Sequence, residues 1–235
     1  MNVVSIMAHQ DDEMRCLGTM LKCQARGDHL YFVIITDGSK GMVQTPDMPR
    51  EEASAIRVRE MGALAKAAGA ELILLGAQDE FLYDTPEIRM QVIEAMRATQ
   101  ADLIFTHYEK DYNLDHSTTS SLIRHCAMQA CLPVLPTQSQ PLPTNPAVFM
   151  VEPFGNFDFP ASHYVDISCY HEAKVRLLMH HASQETAMQT ATGSGLEVIC
   201  SRLDAYRGDL AGCSWAEAFV PMRGRGTIKP YPVLP

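Results

Sequence analysis

The chain has no apolar run near the roughly 20 residues that cross a bilayer, so no membrane span is expected. Basic residues are few: 19 Lys and Arg stand against 28 Asp and Glu, a net charge of −9. That balance disfavours a protein that grips a nucleic-acid backbone, which needs a basic surface, and leaves a neutral or cationic small substrate open. The start lacks the basic-then-apolar form of a secretion signal, and Met1 leads directly into an apolar strand, so a cytoplasmic location is expected. Cys-x-x-Cys pairs are absent and the cysteine count, seven, is odd. Buried reduced thiols are therefore expected rather than a disulfide framework, with Cys16 and Cys23 as packing residues on the first helix. There is no internal repeat, and no Gly-x-Gly-x-x-Gly follows the first strand. The phosphate loop of a dinucleotide-binding protein is thus missing.

What is present is an alternation of strands and helices. At 235 residues and 46% hydrophobic, the chain can bury a sizeable core as one domain over 1–235. Apolar runs predict strands at 2–7, 30–36, 71–75, 102–106, 148–151 and 164–167. Helical spacing predicts helices over about 12–26, 51–68, 170–182 and 195–207, and Thr85-Pro86 starts another, with threonine as N-cap and proline at the first helical position. Short connections imply right-handed crossovers and a mostly parallel sheet: an α/β, Rossmann-like three-layer sandwich. Residues 132–146 hold five prolines and read as an extended loop, at the surface or in an oligomer contact. The tail from 227 to 235 reads as extended.

The densest chemistry follows the first strand. Met7-Ala8-His9-Gln10-Asp11-Asp12-Glu13 puts one imidazole and three carboxylates in five residues, on a turn between strand and helix. Carboxylates so close repel unless solvated or bound to a cation. At the carboxyl end of a parallel strand they would sit in the crevice where α/β proteins bind ligands. Spacing alone leaves two readings: a solvated acidic turn, or a metal site in which His9 and Asp12 reach one ion and Asp11 is left free as a base. Further on, Arg57 and Glu60 lie at i, i+3 on the apolar stripe of their helix, either as a buried ion pair or as groups aimed at a pocket.

Six segments in order resemble the LmbE/PIG-L family of zinc-dependent N-deacetylases. Ala8-His9-Gln10-Asp11-Asp12-Glu13 resembles its Ala-His-Pro-Asp-Asp-Glu signature. Thr36-Asp37-Gly38 resembles the end of its second strand, Arg57-Val58-Arg59-Glu60 its Arg-x-x-Glu helix, and Asn113-Leu114-Asp115-His116 its His-Pro-Asp-His segment. Tyr164 to Ser168 with Glu172, Lys174 and His181-Ala182-Ser183-Gln184 resemble its late strand and helix, and Ala216-Glu217-Ala218-Phe219 its ending. Two positions depart: Gln10 stands for proline and Asn113 for the first histidine of His-Pro-Asp-His.

The resemblance implies a metal-dependent hydrolase that removes an N-acetyl group from an N-acetylated amino sugar or glycoside. It implies His9, Asp12 and His116 as ligands of Zn2+ or another divalent metal, an open set suited to catalysis. Asp11 is the expected base, with Asn113 and Asp115 in the catalytic segment and Arg57, Asp79 and His107 against substrate. Ser117-Thr118-Thr119 is suited to capping the helix behind His116. An oligomer is implied by resemblance alone. Other outcomes of the same site are a different amide cleavage, a hydratase reaction, or ligand binding without catalysis. Asparagine can donate an N–H to an oxyanion but carries no charge. Asn113 is therefore expected as a neutral oxyanion donor, unless His107 or His163 takes that role. His29, His125 and His171 read as surface or helix-face residues, and His180-His181 as support or packing.

Overall fold

The computed structural model describes residues 1–224, so the extended tail expected over 227–235 lies outside the described residues. Seven described strands form one sheet: β1 (Asn2–Met7), β2 (His29–Thr36), β3 (Glu71–Ala77), β4 (Leu103–His107), β5 (Ala147–Val151), β6 (His163–Asp166) and β7 (Ala216–Pro221). Their order is β3-β2-β1-β4-β5-β7-β6. The first five run parallel, while β7 is antiparallel to both β5 and β6. The expected α/β sandwich with a mostly parallel sheet is the fold observed.

Strand alternation sorts side chains into two cores. Val3, Met7, Phe32, Ile34 and Phe105 face one layer, where they meet Leu17 and Met20 of α1 (Leu17–Ala25) and Met61 and Leu64 of α2 (Arg50–Ala67). Val4, Ile6, Val33, Ile35 and Ile104 face the other. There they meet Val92 and Met96 of α3 (Pro86–Ala98) and Leu122 and Ile123 of α4 (Leu114–Gln129). The helices α5 (His171–Leu178), α6 (Ala182–Thr192) and α7 (Leu196–Ala211) complete the first layer. No helix among the described residues is long and apolar enough to cross a membrane. Cys16 and Cys23 pack in the first core.

The chain winds outward both ways from β1 and β4, which are neighbours. The gap between their carboxyl ends is the switch point at which such sheets bind ligands. The loop over 132–146 joins the end of α4 to the start of β5, at the opposite edge. Arg97, 2% exposed, pins it by donating to the carbonyls of Ala130 and Leu135 at 2.9 and 3.0 Å.

Two helices differ from their expected form. The span 12–26 divides into a 3-10 turn, Asp12–Arg15, and α1, because Cys16 at φ −138° leaves the helical region. The span 170–182 also breaks: α5 ends at Leu178 and α6 begins after His181, whose ψ of 57° is not helical. The apolar spacing runs through this break, but His181 is drawn inward to a partner on the acidic turn.

Candidate metal and active site

Three segments meet at the switch point: the turn after β1, the loop after β3, and the chain from the end of β4 into α4. His9 Nδ1 lies 3.2 Å from His116 Nε2. Asp12 reaches both, Oδ2 at 3.4 Å from His9 Nδ1 and Oδ1 at 3.4 Å from His116 Nε2. These three side chains could hold a metal ion. The outer nitrogens are also occupied: His9 Nε2 lies 3.0 Å from Asp79 and 3.3 Å from Asp115, and His116 Nδ1 lies 3.0 Å from Asp111. Hydrogen bonds to these carboxylates and to Asp12 outweigh burial and raise the pKa of both imidazoles, that of His116 to about 9; a cation bound at the inner nitrogens would displace the inner protons and leave the outer ones on the carboxylates.

Asp11 stands beside this set in a left-handed conformation, φ 90°. That backbone costs energy in a residue with a Cβ, and several bonds hold it. Its N–H donates to Glu13 Oε2 at 3.0 Å. Arg57 Nη2 donates to its Oδ1 at 2.9 Å and also to the backbone oxygen of Gln10. Burial pushes the Asp11 carboxyl up, and Asp12 adds to this against the opposing pull of Arg57. Glu13 is in turn held by His181 Nε2 at 2.6 Å, with both side chains fully buried. Along the start of α6, Ser183 bonds Glu60 at 2.8 and 2.6 Å, and Gln184 Nε2 donates to Gly41 O at 3.0 Å. Gln10 is fully buried, its side chain lying against Gly38, where φ is +64° and a Cβ would fall 1.9 Å from Gln10 Oε1.

Four of the expected site residues have protein partners. One oxygen of Asp79 takes His9 and the other accepts the Lys40 N–H at 2.7 Å. Asp115 lies 3.3 Å from the same His9 nitrogen. It is 1% exposed and accepts the N–H groups of Glu80 and Leu82 at 2.8 and 3.1 Å while supporting His9. Asn113 is the N-cap of α4, its Oδ1 accepting from Asp115 N at 2.7 Å and its Nδ2 donating to Glu80 at 3.2 Å. The cap is thus Asn113 rather than the Ser117-Thr118-Thr119 run: the helix end takes the amide oxygen, and Glu80 takes one of the two amide N–H groups. His107 stacks on His116 with centroids 4.0 Å apart, its Nε2 lies 3.3 Å from Asp12 Oδ2, and with Asp111 and His116 it forms a second group that could hold an ion. Its Nε2 accepts the Ala8 N–H at 3.0 Å, and burial and His116 push its pKa down to about 4, so it is neutral.

His163 is exposed on β6, three strands from β4, against Phe149. His29 and His125 are exposed as expected, but His171 is not. It is 9% exposed and stacks on Trp215 at 3.7 Å. Arg57, 1% exposed, pairs with Asp11 at 2.9 Å rather than closely with Glu60, the expected i, i+3 partner, which stands 3.9 Å away.

The sequence reading missed Asp111, Glu13 in its tie to His181, and the roles of Glu217 and Lys174. Glu217 accepts the Gly18 and Thr19 N–H groups at 2.9 and 2.7 Å at the start of α1. Lys174 Nζ lies 2.7 Å from both Glu217 and Asp204. Their signal was faint: charged residues spaced on otherwise apolar faces.

Comparison with known structures places the fold among deacetylases and a hydratase. N,N′-diacetylchitobiose deacetylase from Pyrococcus horikoshii matches with a TM-score of 0.79 at 22% identity, over 94% of this chain and 83% of that one. GalB, the 4-carboxy-2-hydroxymuconate hydratase from Pseudomonas putida KT2440, matches with a TM-score of 0.83 at 19% identity, over 97% and 99%. The zinc-inhibited form of teicoplanin deacetylase matches with a TM-score of 0.71 at 11% identity, over 96% and 99%. At these identities the likeness is one of fold. No curated protein matches the chain. The sequence model of PIG-L, GlcNAc-PI de-N-acetylase, matches residues 4–127, more than half of the chain and all of the site's first three segments. The chain belongs to the PIG-L family.

Proposed function

We propose that the protein is a metal-dependent deacetylase that hydrolyses the N-acetyl amide of an amino sugar or its glycoside. The observation that carries this is the pairing of His9 Nδ1, His116 Nε2 and Asp12 within 3.4 Å, with the protonated faces of both imidazoles turned away to carboxylates. Two inner imidazole nitrogens and a carboxylate oxygen converge closely enough to share one ion, so the donor set fits a divalent metal, and two nitrogens with one oxygen suit zinc. When bound, the metal supplies a lowered water pKa and polarises the acyl oxygen. Membership in the PIG-L family and deacetylases of the same fold support the reaction class.

The chain's own groups divide the remaining work. Asp11, beside the ligands and not among them, takes the proton of the attacking water and returns it to the leaving amine. Arg57 fixes the Asp11 carboxylate and keeps a charged face at the site. Asp79, Asp115 and Asp111 orient the two imidazoles.

The test is acetate release from N,N′-diacetylchitobiose and N-acetylglucosamine conjugates by protein loaded with zinc, with Asp11→Asn as control. Turnover is expected in the wild type and lost in the variant, with metal content unchanged. Activity that survives complete removal of metal by a chelator overturns the reading. Loss of substrate absorbance without release of a carboxylate would assign a hydratase instead.

A further inference from the structure

Six non-glycine residues among those described have positive φ: Asp11, Glu80, Gln100 and the run Asn156, Phe157 and Asp158. Two of them, Asp11 at 90° and Glu80 at 65°, belong to loops that meet at the switch point. Asp11 is the proposed base. A glutamate gains little from such a backbone. Its side chain is too long for the local bonds that let asparagine and aspartate adopt it, and glycine takes it without steric cost. The chain does use glycine for this conformation just before, at Gly76, with φ 72°. Glu80 is therefore held there against a cost, and strain of this kind collects at functional sites.

The contacts of Glu80 fix its place. Its N–H donates to Asp115 Oδ2 at 2.8 Å, the same oxygen that lies 3.3 Å from His9 Nε2. Its neighbour Asp79 lies 3.0 Å from that nitrogen. Its own Oε1 accepts from Asn113 Nδ2 at 3.2 Å, across the start of α4. Asn113 is in turn fixed by its cap bonds, at 2.7 and 3.4 Å. Glu80 is exposed and Asn113 half-buried, so the pair forms part of the open rim, joined to the proposed ligand His9 through Asp115. Glu80 Oε2 and the second Nδ2 N–H of Asn113 have no hydrogen-bond partner among the described residues.

Resting on the deacetylase reading, we propose that Glu80, held by Asn113, is a specificity-determining residue that takes neighbouring hydroxyls of the sugar. A sugar hydroxyl both donates and accepts. The free Glu80 oxygen accepts from one hydroxyl, and the free amide N–H donates to the next, so the two protein groups match adjacent hydroxyls on one ring. An amide without hydroxyls offers nothing to either. No covalent bond changes in this contact; it sets which amides are held at the site. A glycine at position 80 would relax the backbone and leave the acceptor out, which accounts for a glutamate kept where glycine fits better.

The experiment measures binding apart from turnover. Calorimetry on zinc-loaded Asp11→Asn protein gives the Kd of N,N′-diacetylchitobiose, alone and combined with Glu80→Gly or Glu80→Gln. Glu80→Gly is expected to weaken that Kd about 10–100-fold, the range for a hydrogen bond to a charged group. Glu80→Gln keeps a neutral acceptor and is expected to lose less. Zinc stoichiometry should stay full, and the melting temperature of Glu80→Gly should equal or exceed that of its parent, because glycine relaxes the backbone. Unchanged affinity in Glu80→Gly overturns the proposal, and acetate release by the wild type then leaves the deacetylase reading standing. Weaker binding together with a lower melting temperature and lost zinc makes Glu80 a brace for its loop and likewise overturns it. A parent that binds no disaccharide overturns it too. Absence of acetate release from the wild type sinks the deacetylase reading instead, and binding that depends on Glu80 then stands by itself as the sugar contact.

Discussion

Asp111 Oδ2 lies 3.0 Å from Nδ1 of His116, and its side chain is 1% exposed. A carboxylate on the far nitrogen of a ligand imidazole fixes its tautomer and strengthens it as a donor. Asp111→Asn keeps the shape and removes the charge. Metal affinity should weaken by about 10–100-fold, the usual cost of losing such a partner, with the melting temperature of the metal-free protein little changed. Competition with a chelator of known affinity measures it. Affinity equal to wild type would remove Asp111 from the site.

Asn113 separates two roles that the sequence could not. As an N-cap it should tolerate Asn113→Asp and Asn113→Ser, whose oxygens also accept from the first turn. Asn113→Ala should cost about 1 kcal/mol of stability. An oxyanion donor would instead lose kcat in Asn113→Asp and Asn113→Ala, since neither replacement brings a hydrogen-bond donor. Denaturant melts alongside kcat for the set distinguish the two. A large kcat loss in Asn113→Asp with full stability would return the donor role to the amide.

Lys174 is fully buried between Asp204 and Glu217, 2.7 Å from each. Removing its charge leaves two carboxylates unpaired in the core. Lys174→Met should destabilise by about 3–5 kcal/mol, the cost of breaking a buried pair by deleting one partner. The double variant Lys174→Met with Asp204→Leu should recover part of that loss. Urea midpoints for the pair decide it, and a single variant as stable as wild type would show that the cluster does not need its cation.

His171 gives a pH dependence. Burial and then Lys174 hold its pKa below the usual value, opposed by Glu217 and Glu197, and Asp204 stands 3.6 Å from its Nε2. An imidazole depressed in the fold takes up protons more readily when unfolded. Its contribution is therefore present above about pH 6.5 and lost as pH falls from there through its folded pKa. The stacked Trp215, the single tryptophan in the chain, reports on it. Its fluorescence should titrate with an apparent pKa below about 6.5, and His171→Phe should abolish that transition. A midpoint above the ordinary histidine value would contradict the assignment.

The sheet was legible because β1, β2 and β4 are nearly continuous apolar runs, the mark of strands covered on both faces. The convergence of His9, Asp12 and His116 was legible through resemblance, and that of His9 with Asp12 also through their place on one short turn. What stayed hidden are pairs formed across long stretches of chain. Asp111 sits beside Lys110 in a polar segment and looks like surface, although its side chain is 1% exposed. The break before His181 left no trace, because Val175, Leu178, Met179 and Ala182 keep helical spacing across it. Tertiary demand, a buried carboxylate waiting at Glu13, overrode the local pattern. Asn113 was singled out by its place in the resembling segment and Asp79 by its place beyond a strand end, and neither says which bonds a side chain makes to the backbone around it.

The tie between Glu217 and the N–H groups of Gly18 and Thr19 spans 199 and 198 residues. It sets an order of events during synthesis. His9, Asp12 and His116 leave the ribosome long before β7 exists, so the nascent chain exposes its proposed ligands while α1 lacks its anchoring carboxylate. His181, which steadies Asp11 through Glu13, also arrives late.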